Sequence, residues 1–222
     1  MKNFYKKFRL ITTLPFWSSY LRTVYRQTVQ DSLDLGIISI TKRKNPTILL
    51  CGVSGEITAN EFITFILKNN RDSNIIVIDL GQEQIDSVKR LVKEKFSNAN
   101  IYIKRANALN LGFITDKSID WIDTDGFFSF FDDKQLQELF KEWKRILRDD
   151  GFITFRELIS RGFISTIANK LRAYIAKTYM GIELHLHSKE KLEHCIKQVG
   201  FTSRRGISPI PLLDRYIMMR QE

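Results

Sequence analysis

Apolar and polar positions follow two rhythms along the middle of this chain. Apolar-rich runs at Thr47–Cys51, Ile75–Asp79 and Phe152–Phe155, a short one at Ile101–Lys104 and one at Ile119–Asp123 that ends on polar residues have the length and composition of strands. Between them apolar residues recur at helical spacing. Phe62, Ile63, Phe65 and Ile66 predict a helix near Thr58–Lys68, and Ile85, Val88, Leu91, Val92 and Phe96 a second. Leu136, Leu139, Phe140, Trp143, Ile146 and Leu147 make the strongest amphipathic helix, with Gly151 in the position of a helix stop. Strands and helices that alternate over short links predict an α/β fold with a doubly wound, mostly parallel sheet.

The pattern changes after Glu157. Residues 160–180 read as a helix with Phe163, Ile164, Ile167, Leu171 and Ile175 on one side and Arg161, Lys170, Arg172 and Lys177 elsewhere. This helix suits a lid, a packed core helix or an interfacial helix on a membrane. Another is expected from an N-cap at Ser188 to a stop at Gly200. Phe201–Ile207 and Arg215–Arg220 read as a final pair of strands. Their short link through Ser208-Pro209-Ile210-Pro211 makes them antiparallel neighbours. Residues 1–45 predict a helical cap around Trp17–Gln30, over the sheet or its mouth. The division is therefore a cap at 1–45 and one domain at 46–222, with a helical insertion at about 158–187.

Charge is unevenly spread. The net charge of +10 divides into nine Lys/Arg against two Asp/Glu over residues 1–45, fourteen against seventeen over 46–155, and twelve against six over 156–222. The positive excess lies in the flanks. It is consistent with plain solubility, or with an anionic partner: a charged small molecule, nucleic acid or a lipid surface. Phe4, Tyr5, Phe8, Phe16 and Trp17 among basic residues fit base stacking, or an aromatic helix packed over a pocket. Two distant cysteines, Cys51 and Cys195, suggest neither a disulfide framework nor a metal site. With no cleavable-leader pattern at the N-terminus and no apolar run long enough to span a bilayer, a cytoplasmic protein is expected.

The chemistry concentrates at two strand ends. Cys51-Gly52-Val53-Ser54-Gly55-Glu56 is a small-residue turn after the first strand, and Asp79 ends the second. Adjacent in a parallel sheet, such a turn and such an acid outline a nucleoside-cofactor site. The third glycine of a dinucleotide fingerprint is missing, and so is the Lys of a phosphate-binding loop. A cofactor with a sugar and a base but no phosphates fits better.

In the order of these motifs the chain resembles the class I S-adenosylmethionine-dependent methyltransferases. Cys51–Glu56 stands at that family's glycine-rich loop and Asp79-Leu80 at its ribose acid and adenine-side apolar residue. Ala106-Asn107-Ala108 stands at its adenine contact, Asp120–Thr124 at its fourth strand, and Arg145–Phe152 at its helix-to-strand turn. The resemblance covers residues 46–157. It implies a seven-stranded Rossmann-like sheet, S-adenosylmethionine as cofactor, and cofactor contacts from Cys51, Gly52, Val53, Ser54, Gly55, Glu56, Asp79, Leu80, Asn107, Ala108, Asp123 and Thr124. Two departures stand out: no acid opens the first loop, and Asn107 replaces an Asp. The Asn-Pro-Pro-Tyr signature of amino-group methylating relatives is absent.

Asp125, at the exit of the fourth strand, and His185 and His187, before the last helix, are the candidate catalytic residues. An imidazole titrates near neutrality and can take a proton from a hydroxyl acceptor. Each also has a plain structural reading, as a solvated loop acid or a packed histidine. The expected function is methyl transfer to a small acceptor, anionic or membrane-associated. Two alternatives remain: a nucleic-acid methyltransferase or binding protein, and a non-catalytic Rossmann-like module.

Overall fold

The computed structural model describes residues 15–37, 42–53, 55–159, 162–208 and 213–221. A helix at Pro15–Asp34 (α1) precedes the alternating region, which runs β1 (Thr47–Cys51), α2 (Glu56–Asn69), β2 (Asn74–Asp79), α3 (Gln82–Lys95), β3 (Ile101–Arg105) and β4 (Ile119–Asp125). A single 3-10 turn at Phe128–Phe130 leads to α4 (Asp133–Ile146), β5 (Leu147–Leu158), α5 (Phe163–Met180), α6 (Lys189–Gln198), β6 (Phe201–Ile207) and β7 (Leu213–Arg220). The seven strands form one sheet in the order β3-β2-β1-β4-β5-β7-β6. β1 to β5 are parallel, and β7 inserts antiparallel between β5 and β6. This is the α/β, seven-stranded, mostly parallel sheet expected from the pattern, with its antiparallel end pair.

Side chains alternate across each strand, so the sheet supports two cores. Leu49, Cys51, Ile122, Ile153 and Phe155 point to the side where α4 and α6 place Leu139, Trp143, Leu192 and Ile196. Ile48, Leu50, Val77, Trp121 and Phe152 point the other way, onto Leu21, Val24 and Tyr25 of α1, Phe62 and Ile66 of α2, and Val88 of α3. The apolar residues read for α4 are all buried, and its start is fixed by a capping box between Asp132 and Gln135. Ser188 caps α6 by accepting the Lys191 N–H, and Gly200 ends the turn after it at φ +81°.

Gly151 has a different place from the expected one. α4 ends at Ile146, and the chain enters β5 directly at Leu147, with no loop between. Pairing with β4 then slips between Ile119↔Leu147 and Trp121↔Phe152, which leaves Arg148 to Asp150 bulged out. There Asp120 takes Arg43 at 2.6 Å and Arg148 at 3.5 Å. A Cβ on Gly151 would meet the Leu147 side chain at 2.9 Å and the Arg148 carbonyl at 3.1 Å. The glycine is required by close packing within the bulge and not by a helix end.

α1 lies against α2, where Tyr25 contacts the rings of Phe62 and Phe65 and Arg22 pairs with Glu61 at 2.8 Å. Phe4, Tyr5 and Phe8 lie outside the described residues, as does the 209–211 part of the final link. Among the described residues no helix is long and apolar enough to cross a membrane, and no cluster of metal-ligating side chains occurs.

Candidate functional site

In this strand order the crossover direction reverses between β1 and β4, and the carboxyl ends of parallel strands at such a point form a crevice. Gly52 leaves β1 at φ +77°, a left-handed conformation that suits glycine, and its N–H donates to the Ile78 carbonyl at 2.9 Å. The next N–H, of Val53, donates to Asp79 Oδ2 at 2.7 Å. Asp79 Oδ1 accepts the Gly81 N–H at 2.6 Å. One buried carboxylate thus clasps the turn after β1 to the turn after β2. Beside it Leu80 is 47% exposed, an apolar surface at the strand tip.

The remaining loop residues are placed as follows. Cys51 is fully buried in the core, and burial holds its thiol far above the ordinary range. Gly55 precedes α2 in extended conformation, and Glu56 is exposed in the first helical turn, where it accepts from Ser87 at 3.3 Å. Ser54 lies outside the described residues. Asn107 is exposed past β3, with its Oδ1 accepting the Leu109 N–H at 3.1 Å, while Ala108 is buried in the core. The ring of Phe127 covers one side of Gly52: a Cβ there would lie 2.7 Å from it.

The exit of β4 carries a buried ionic network. Asp123 receives Arg156 of β5 through both oxygens, at 2.5 and 2.8 Å, and also the Thr154 hydroxyl at 2.5 Å. Asp123 and Arg156 are both fully buried. The Thr124 hydroxyl donates to the Cys51 carbonyl at 2.7 Å. These contacts turn Asp123 and Thr124 inward, into the joints between β1, β4 and β5, and away from the cofactor role expected of them. Asp125 is the residue of β4 that reaches the mouth. It sits 3.4 Å from Arg156 Nε and accepts the Tyr20 hydroxyl of α1 at 3.4 Å. Burial, helped by the Asp123 charge and opposed by Arg156, pushes its carboxyl up to about 6. Glu157, next along β5, accepts the Phe128 N–H at 2.8 Å, and burial pushes it up to about 7 against the pull of Arg172.

The two histidines separate. His187 is buried, with Nε2 at 3.1 Å from the carbonyls of both Phe128 and Phe131, and Nδ1 at 3.4 Å from Asp133. Two carbonyl neighbours demand a hydrogen on Nε2, so this nitrogen is a donor that ties down the Phe128–Phe131 turn and not a proton acceptor for an incoming group. His185 is partly exposed, and its backbone N–H pairs with the Ser129 carbonyl at 2.8 Å. Arg156, Glu157, Tyr20 and Phe127 are not among the expected site residues. The pair Arg156-Glu157 at a strand end was the only signal for them. Tyr20 and Asp125 are 105 positions apart in the chain, and local pattern cannot join them.

Residues 60–151 match a family model described as a methyltransferase domain. The match begins beyond the turn at Gly52–Glu56. No curated protein matches the chain. Among solved structures the chain is similar to a SAM dependent methyltransferase from Aquifex aeolicus, at 13% identity and TM-score 0.62, with 96% of each chain covered. It is similar to a SAM-dependent methyltransferase from Methanosarcina mazei at 15% identity and TM-score 0.61, over 86% of this chain and 98% of that one. The mitomycin 7-O-methyltransferase MmcR aligns at 9% identity and TM-score 0.62, over 87% of this chain and 54% of that one. The chain thus spans about half the length of that enzyme. At these identities the structural likeness shows the fold. Residues 60–151 are thus similar to a methyltransferase domain, and the sheet around them has the class I fold; S-adenosylmethionine is the cofactor of such domains.

The residues of the crevice fit the two halves of that cofactor unequally. On the nucleoside side Asp79 brings a carboxylate to the crevice, a group able to accept several hydrogen bonds at once, and Leu80 offers apolar surface for a base. Asn107 still presents an exposed amide. On the methionine side no acid opens the loop, and the Phe127 ring lies where a ligand would pass close to Gly52. The residues present thus suit the nucleoside end better than the methionine end.

Proposed function

We propose that the chain transfers the methyl group of S-adenosylmethionine to a small acceptor that is anionic or presented at a membrane, with Asp125 as the proton acceptor. The observation that carries this reading is the pairing, at the switch-point crevice, of the Asp79 clasp with the partly exposed Asp125. Bound S-adenosylmethionine supplies a methyl already activated on a sulfonium, so the chain has mainly to position the acceptor and exclude water. Asp79 and Leu80 hold the nucleoside. Asp125, raised to about 6, is mostly ionised at neutral pH and yet basic enough to take a proton from a hydroxyl or ammonium group as it is methylated. Tyr20 and Arg156 orient that carboxylate from two sides. The net charge of +10 favours an acceptor with an anionic group.

Titration calorimetry with S-adenosylhomocysteine tests the reading. Binding is expected, and its absence at millimolar ligand would overturn the proposal. With a turned-over acceptor, Asp125→Asn should lower kcat strongly and abolish the rise of kcat through about pH 6. One observation favours a second reading, a Rossmann-like module without cofactor: the Phe127 ring against Gly52. That reading gains only if Phe127→Ala also fails to bind S-adenosylhomocysteine.

A further inference from the structure

α5 is built outside in. Phe163, Ile164, Ile167, Leu171, Tyr174 and Ile175 are between 40% and 82% exposed, whereas Ser165, Asn169 and Ala176 are buried. At about 100° per residue, the exposed apolar side chains fall on one continuous arc. Ser165, Asn169 and Ala176 lie together on the opposite side, against the protein. Lys170 and Lys177 line one edge of the apolar arc and Arg172 the other, and the helix contains no acidic residue. Polar contacts anchor it: Asn169 Nδ2 donates to the Leu158 carbonyl at 3.2 Å, and Arg172 lies 3.9 Å from Glu157. α5 is thereby held at the carboxyl end of β5, beside the crevice mouth.

A helix that turns its small and polar side to its own protein and an apolar side with cationic edges to solvent has the layout of an interfacial membrane helix. We infer that α5 docks the protein on an anionic bilayer, with Leu171 and its neighbours among the acyl chains and Lys170 and Lys177 at the headgroups. Charge decides the occupant. The helix carries only positive charge, within a chain of net +10. An anionic surface is complementary to that set, whereas a second copy would bring the same cations against one another. The inference rests on the exposed face of α5 alone and needs neither the cofactor nor the acceptor reading.

The test uses the full chain with vesicles of phosphatidylcholine mixed with phosphatidylglycerol, and with phosphatidylcholine alone. The protein should co-sediment with the mixed vesicles, at least tenfold more than with the neutral ones, and salt should release it. Leu171→Asp and the pair Lys170→Glu, Lys177→Glu should each weaken this partition at least tenfold while circular dichroism and the melting temperature stay near wild type. Tyr174→Trp, with the wild-type spectrum subtracted, should show a blue shift in fluorescence on adding mixed vesicles. That reading is local to α5, and binding through another basic segment would not give it. Equal sedimentation with both vesicle types, undiminished binding by Leu171→Asp, or an unshifted difference spectrum for Tyr174→Trp would overturn the inference. So would a wild-type dimer in analytical ultracentrifugation that Leu171→Asp splits, because the face would then belong to a second copy.

Discussion

Asp79→Asn is the most informative single substitution, because it keeps the shape of the side chain and removes half of what the carboxylate does. The two oxygens of Asp79 accept the Val53 and Gly81 N–H groups at 2.7 and 2.6 Å. An asparagine has one acceptor oxygen, so one of those N–H groups then faces an amide NH₂. Hydrogen bonds to a charged group are each worth about 1.5–3 kcal/mol. Losing one of them in a buried site, with a donor left opposed to a donor, should cost about 2–3 kcal/mol. For a chain of this size a kilocalorie moves the melting temperature by about 2–4 °C, which gives a fall of about 4–12 °C. The clasp between the turns after β1 and β2 weakens at the same time, and under the proposed function the ribose hydroxyls lose an ionised acceptor. S-adenosylhomocysteine affinity should therefore fall about tenfold to a hundredfold, or ~1.4–2.8 kcal/mol. Scanning calorimetry and titration calorimetry read the two effects separately. A melting temperature within a degree of wild type refutes the clasp, and an unchanged affinity alongside a lowered melting temperature refutes the cofactor assignment alone.

Two other outcomes concern the buried charges. Arg156→Leu leaves the Asp123 carboxylate buried without its cation and should cost about 3–5 kcal/mol in urea unfolding; adding Asp123→Asn should restore part of that loss, and a strictly additive pair would contradict the coupling. Glu157 and Asp125 have folded-state carboxyls raised to about 7 and about 6, so the folded protein holds more protons than the unfolded chain between about pH 4.5 and 7. Their contribution is fully present below the unfolded values and is lost as pH rises through the folded ones. The melting temperature should therefore decline from about pH 5 to about pH 8, and Glu157→Gln should flatten that decline; a variant with the wild-type slope would show that Glu157 is not buried as described.

The fold was legible where periodicity is strong and local. α4 could be read residue by residue because Leu136 to Ile146 bury one stripe, and β1 and β2 because both faces of the sheet are covered there and the runs are almost continuously apolar. The start of β5 was not legible. Leu147 continues the helical apolar spacing of α4, and only the pairing with Ile119 makes it a strand residue. At the site, Asp79 could be placed from its position at a strand end. Asp123 could not be distinguished from Asp125, because their difference lies in Arg156, 33 positions from Asp123. The amphipathic pattern of residues 160–180 was visible as well. Which side faces inward is decided by Asn169 meeting Leu158, a contact that no period in the sequence encodes.

The Asp79 clasp also bears on how this chain can change over time. The path of the turn after β1 is held from the neighbouring strand, through the Gly52 and Val53 N–H groups. A loop supported from outside tolerates substitution at positions such as Gly55 and Glu56, while Asp79 itself becomes nearly immutable. In a library of variants the tolerated ones should accumulate at 55 and 56, with residue 79 left almost blank.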